Sequence, residues 1–126
     1  MTGTELIAML QDKKLSTTAK GNALEDYVVD WIADNFDSSV VSSVKRTRRS
    51  GALHGDGDMT VLDITFDCKA KGECKNVNVT EEELRKVDIQ AAKSDKIGVI
   101  ITPAIKDGRV RLFATLSLDD LLNNWK

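Results

Sequence analysis

Asp58, Asp67 and Lys69 are the residues whose types and spacing suggest chemistry. All three lie in GDGDMTVLDITFDCKAKG (55–72). Apolar and polar residues alternate across this stretch, which predicts two β-strands, 58–61 and 64–70. A tight turn at Leu62-Asp63, or a four-residue loop from Val61 to Ile64, pairs Met59 with Phe66, Thr60 with Thr65 and Asp58 with Asp67. Side chains alternate between the two faces of a strand. Met59, Val61, Ile64, Phe66 and Cys68 therefore share an apolar face, and Asp58, Thr60, Thr65, Asp67 and Lys69 share the other. Directly opposed residues have Cβ atoms about 5 Å apart, and two aspartates so placed repel. A divalent cation between them removes the repulsion, and hard oxygen donors favour Mg²⁺ or Mn²⁺ over zinc. Lys69 is within reach of whatever the cation holds. Such a set suits phosphodiester hydrolysis: the metal polarises the phosphate and lowers the pKa of a bound water. The lysine orients that water or offsets charge developing on phosphorus. The bland alternative is an Asp–Lys ion pair on a polar strand face.

A third acid, Glu25, heads the line Glu25, Val29, Ile32, Phe36 on a helix. It is either a helix-end residue reaching water or a partly buried ligand; Asp26 and Asp30 fall on a more exposed face. The elements that must position these residues follow from periodicity. Residues 4–13 predict a short amphipathic helix and 17–36 a longer one, with Leu24, Val28, Trp31 and Ile32 as its core face. Residues 39–46 (SVVSSVKR) predict a strand, and 48–57 a loop rich in glycine and polar residues. Thr80 and Glu83 stand at capping-box spacing ahead of a helix over 80–93. KIGVIIT (96–102) suits a central strand, and Asp107-Gly108 a hairpin turn into 109–116. Ser117 caps a final helix over 117–125. The order predicts an α/β fold, a mixed five-stranded sheet flanked by helices.

The 126 residues, 41% of them hydrophobic, suit one domain spanning 1–126. No apolar run is long enough to span a membrane, and the N-terminus lacks the layout of a signal peptide, so the expected location is cytoplasmic. Cys68 and Cys74 form no zinc pattern with the single histidine, His54; two reduced thiols are expected, Cys68 facing the core. The net charge of −2 does not announce a nucleic-acid binder, but the run KRTRR (45–49) and Lys69, Lys71 and Lys75 give a local basic patch.

Taken in order, KGNALE (20–25), RRSGALHGDGDM (48–59) and DCKAKG (67–72) resemble the archaeal and phage Holliday junction resolvases of the PD-(D/E)xK nuclease superfamily. The likeness covers roughly residues 18–102. It implies a restriction-endonuclease-like core and an Mg²⁺-dependent endodeoxyribonuclease (Mn²⁺ serving in its place) that acts in DNA recombination and repair. Glu25, Asp58 and Asp67 match the acidic positions and Lys69 the motif lysine, and the backbone carbonyl of Cys68 is implied as a further metal ligand. GDGD offers Asp56 as well as Asp58; Asp58 is preferred because the apolar alternation starts just after it. Asp67 replaces the usual glutamate, and the nominal proline is absent. Lys20, Arg46, Arg48, Arg49 and Lys71 are the implied phosphate contacts, with Ser50 and His54 in a loop that orders on DNA, and Gln90 is either a site-positioning residue or a solvent-facing one. Cutting a four-way junction symmetrically needs two sites related by a two-fold axis, hence a homodimer, for which Leu112, Phe113, Leu121, Leu122 and Trp125 offer apolar surface. The rival expectations are a nicking or restriction-type endonuclease acting on duplex DNA and a non-catalytic DNA-binding protein on the same fold.

Overall fold

Thr2 and Ser16 open the first two helices by accepting hydrogen bonds from the backbone amides of Glu5 and Ala19. Helix α1 spans Gly3–Leu10 and helix α2 Thr17–Asn35. The computed structural model describes residues 1–46 and 59–124. Arg48, Arg49, Ser50, His54, Asp56, Asp58 and Trp125 lie outside those residues.

The segment expected as a strand over 39–46 instead begins as helix α3, Ser38–Ser42. Asp37 accepts from the amides of Ser39 (3.1 Å) and Val40 (3.3 Å) and from the Ser39 hydroxyl (2.7 Å). This N-cap outweighs the β-preference of the two valines. Strand β1 is left with only Lys45–Arg46.

Strands β2 (Met59–Val61) and β3 (Ile64–Cys68) form the hairpin. Met59 pairs with Phe66, Thr60 with Thr65 and Val61 with Ile64, the register that alternation predicts. The turn needs Leu62 at φ +53°, which an L-residue rarely adopts. It is pinned from two sides: the Leu62 amide donates to Ser43 Oγ (3.1 Å), and Lys96 Nζ donates to the Leu62 carbonyl (2.5 Å). Helix α4 (Glu81–Ala92) opens with the expected Thr80–Glu83 capping box. It crosses over to β4 (Ile97–Lys106), which runs parallel to β3 and continues through Pro103. Asp107 and Gly108, both at positive φ, turn the chain into β5 (Arg109–Thr115). Helix α5 (Leu118–Asn123) follows, capped by Ser117. The five strands lie in the order β1-β2-β3-β4-β5, antiparallel except for β3 and β4. The fold is α/β, a mixed five-stranded sheet flanked by helices. Among the described residues, no helix is long and apolar enough to cross a membrane.

Each sheet face has its own cover. Leu6, Leu10, Leu24, Val28 and Ile32 of α1 and α2 pack with Met59, Val61, Cys68, Val99 and Ile101 in one buried cluster. Cys68 faces the core, as expected, and Cys74 is buried as well. Trp31, expected in this core, is 43% exposed and packs edge-on against the exposed Phe36. The buried stripe of α2 runs through Leu24, Glu25, Val28 and Ile32 and leaves Trp31 at its margin.

Helix α4 covers the other face through the buried Val87 and Ala91. It comes so close that a Cβ at Gly98 would stand 2.9 Å from the Val87 carbonyl carbon, 3.0 Å from the Asp88 nitrogen and 2.7 Å from Asp88 Oδ1. Backbone atoms cannot yield as a flexible side chain can, so Gly98→Ala is expected to destabilise the fold by about 1–3 kcal/mol in urea or thermal unfolding. A variant as stable as the wild type would show that α4 is free to move off the sheet.

Candidate active site

Asp67 and Lys69 meet as expected: Lys69 Nζ lies 3.2 Å from Asp67 Oδ2, both side chains partly exposed. Asp67 pairs in register with Ile100, and Thr65 with Gly98, so Thr65 and Asp67 point to the α4 side. The Lys69 amide donates to the Ile101 carbonyl (2.9 Å), which holds Lys69 at the end of the β3–β4 ladder.

Glu25 is only 5% exposed, which decides between its two expected positions in favour of burial. A buried carboxylate needs a partner, and Arg46 supplies it. Arg46 Nε lies 2.6 Å from Glu25 Oε1, while its Nη2 lies 2.6 Å from Asp26 Oδ1. Partial burial works against the guanidinium charge, but bonds to Glu25 and Asp26 outweigh it and raise the Arg46 pKa. Arg46, an expected phosphate contact, thus already holds two carboxylates. Because Arg46 pairs with Met59, it projects toward the α2 side of the sheet. The Glu25–Arg46 pair and the Asp67–Lys69 pair therefore sit on opposite faces. What joins the two regions is the end of β3: one helical turn before Glu25, a Cβ at Gly21 would stand 3.9 Å from the Cys68 carbonyl oxygen.

Among the described residues, no three His, Cys, Asp or Glu side chains gather closely enough to hold a metal ion; Asp58, the third expected ligand, lies outside them. The donors that are present are carboxylate and carbonyl oxygens, the chemistry of a hard cation.

Lys71 is engaged by Glu83 and by the Asn78 carbonyl (2.8 Å). Lys20, by contrast, lines a shallow groove with Lys13 and Lys75. Gln90 is half-buried on α4. Comparison with known proteins gives no match: no family model, no curated protein and no solved structure matches this chain.

Burial works against the Glu83 charge, but Lys71 and the Thr80 amide and hydroxyl outweigh it and pull its pKa from 4.5 to about 2. A depressed folded-state pKa stabilises the fold above the unfolded value and loses that contribution as pH falls. Wild-type stability is expected to fall between pH 4.5 and about 2, and Lys71→Ala to flatten that stretch of a stability–pH curve measured by urea unfolding. Equal slopes in both proteins would remove the Lys71–Glu83 interaction as the cause.

Proposed function

We propose that this chain is a metal-dependent endodeoxyribonuclease that cuts branched DNA, most concretely a Holliday junction resolvase with a restriction-endonuclease-like core. The observation that carries the reading is the β2–β3 register together with the Asp67–Lys69 contact. Asp58 directly precedes Met59, whose partner Phe66 directly precedes Asp67. The strand order, a three-strand meander followed by a helical crossover to a parallel β4, agrees with the order of motifs that suggested the family.

In this reading Asp58, Asp67 and the Cys68 carbonyl would hold Mg²⁺, or Mn²⁺ in its place, and Glu25 would be a further ligand if Arg46 released it. The ion supplies charge to the scissile phosphate and acidity to a bound water. Lys69, kept beside Asp67 by their ion pair, orients the attacking water or meets the charge that builds on phosphorus. Lys20, Arg46, Arg48, Arg49, Ser50 and Lys71 are the proposed contacts to the DNA backbone. Paired cuts require a homodimer, and exposed Leu118, Leu121 and Leu122 on α5 offer it apolar surface.

A labelled immobile four-way junction is expected to be cut in Mg²⁺ and far better than its linear arms. Asp67→Asn and Lys69→Ala are each expected to lower the rate at least about 100-fold while leaving binding in EDTA intact. Preferential cutting of the linear arms would make the chain a nicking or restriction-type enzyme instead.

The Arg46–Glu25 pair favours a second reading, a DNA-binding protein of the same fold that does not cut, because Glu25 already has a structural partner. The two readings separate on Arg46→Ala. Removing one partner of a buried ion pair strands the other, at a cost of about 3 kcal/mol. If Glu25 is a ligand, Mg²⁺ is expected to restore part of that loss in thermal unfolding. A variant equally destabilised in EDTA and in Mg²⁺ would remove Glu25 from the ligand set.

A further inference from the structure

A groove of about 620 Å³ lies at the turn end of the β2–β3 hairpin, lined by Ser43, Lys45, Thr60, Thr65, Ser94 and Lys96 and by the apolar Leu62. Its floor is the directly opposed pair Thr60–Thr65, and Lys45 stands opposite Thr60 on the next strand. Helix α4 ends at one wall, where Ser94 and Lys96 lead into β4. The wall is fixed: the Lys96 amide donates to the Ala91 carbonyl (2.9 Å) and its Nζ to the Leu62 carbonyl (2.5 Å). Among the described residues, two ammonium groups and four hydroxyls line it and no carboxylate does. Among the described residues neither Lys45 nor Lys96 has an acidic partner, whereas Lys69, Lys71, Lys75, Lys86, Arg46 and Arg85 each have one.

We infer that this groove binds a phosphate of a nucleic-acid backbone, at a subsite separate from the residues proposed to cut. Two features favour a backbone phosphate over a small phosphorylated molecule. Thr65 lies two residues before Asp67 on the same strand face, a rise of about 7 Å; a strand seated on the lysines thus continues toward Asp67 and Lys69. Lys45 also opens the basic run KRTRR (45–49) in the sequence. Ammonium groups neutralise the phosphate while hydroxyls donate to its oxygens, a pattern that positions a backbone without reading its bases.

The inference rests on the nucleic-acid part of the proposed function and not on cleavage. Its test is binding of a labelled four-way junction, and of a linear duplex of matching sequence, by the full chain in EDTA over a range of salt. Lys45 is exposed, so Lys45→Glu is expected to keep the wild-type melting temperature. It is expected to weaken both DNAs about tenfold or more and to reduce the salt slope by about 1. Lys45→Arg is expected to bind as the wild type does. Lys45→Glu with unchanged affinity and slope overturns the inference. So do backbone amide shifts at Thr60, Thr65 and Lys96 that follow inorganic phosphate but not DNA. A wild type that binds through Lys45 yet leaves DNA intact in Mg²⁺ supports the inference and overturns cleavage alone. A wild type that cuts, with Lys45→Glu unchanged in both binding and cutting, overturns the groove alone.

Discussion

Helix α4 lies against β4 at a distance that only a missing side chain allows, and the geometry of the sheet's second face depends on that contact. At Gly98 the helix backbone occupies the space of a methyl group. This close seat fixes the crossover between β3 and β4 and so keeps the two strands parallel and in register. It also decides what the face can present: Ile100 is fully buried and Thr65 nearly so, while Asp67 remains partly open. The end of α4 becomes the wall that carries Ser94 and Lys96. The seat is not free of cost. The Asp88 carboxylate sits over Gly98 with Oδ1 buried and without a hydrogen-bond partner among the described residues, and its pKa is raised by burial first and then by Asp120 and Glu81. Close backbone packing here outweighs a poorly solvated acid.

The small net negative charge conceals how the charges are distributed. Several carboxylates are matched locally: Glu25 and Asp26 by Arg46, Glu83 by Lys71, Glu73 by Lys75, and Asp30 by the N-terminal ammonium. Pairs such as Lys75–Glu73 are well exposed and contribute little to stability. Their consequence is spatial. They pair charges on α2 and at the start of α4, whereas Lys45 and Lys96 line the groove on the polar face of the hairpin without an acidic partner among the described residues. An anionic partner senses that local field rather than the sum over the chain.

Most of the fold was legible in the sequence, because strand alternation and helix caps are local signals. The β2–β3 register followed from period-two patterning, and the Thr80–Glu83 box marked the start of α4. Where a local signal competed with another, the reading failed. Residues 38–42 combine β-branched valines with an aspartate at the N-cap, and the cap prevails. Trp31 has the right spacing for the core but falls at the edge of the stripe, where Phe36 meets it. The Asp67–Lys69 contact was legible from parity alone. The partnership of Glu25 with Arg46 was not, since 21 residues separate them and nothing in either segment announces the other. The lysine groove carried no motif for the same reason. Its lining comes from the α3–β1 link, the hairpin and the α4–β4 link, which only the assembled sheet brings together.

The division of the acids between two faces constrains how the proposed reaction is built. Asp67 points to the α4 side and Glu25 to the α2 side. Carboxylates from both can share one cation only at the end of β3, where the sheet stops separating them. That is the place where α2 carries Gly21. Glycine inside a helix costs about 1 kcal/mol relative to alanine, and the 3.9 Å clearance to the Cys68 carbonyl oxygen is ordinary contact that would accept a methyl group. Packing therefore does not require a glycine here. A methyl at that position would instead lie against the carbonyl proposed as a ligand. Under the proposed chemistry Gly21 leaves that carbonyl uncovered, and the Arg46 guanidinium would hold the Glu25 charge in place in the absence of a cation.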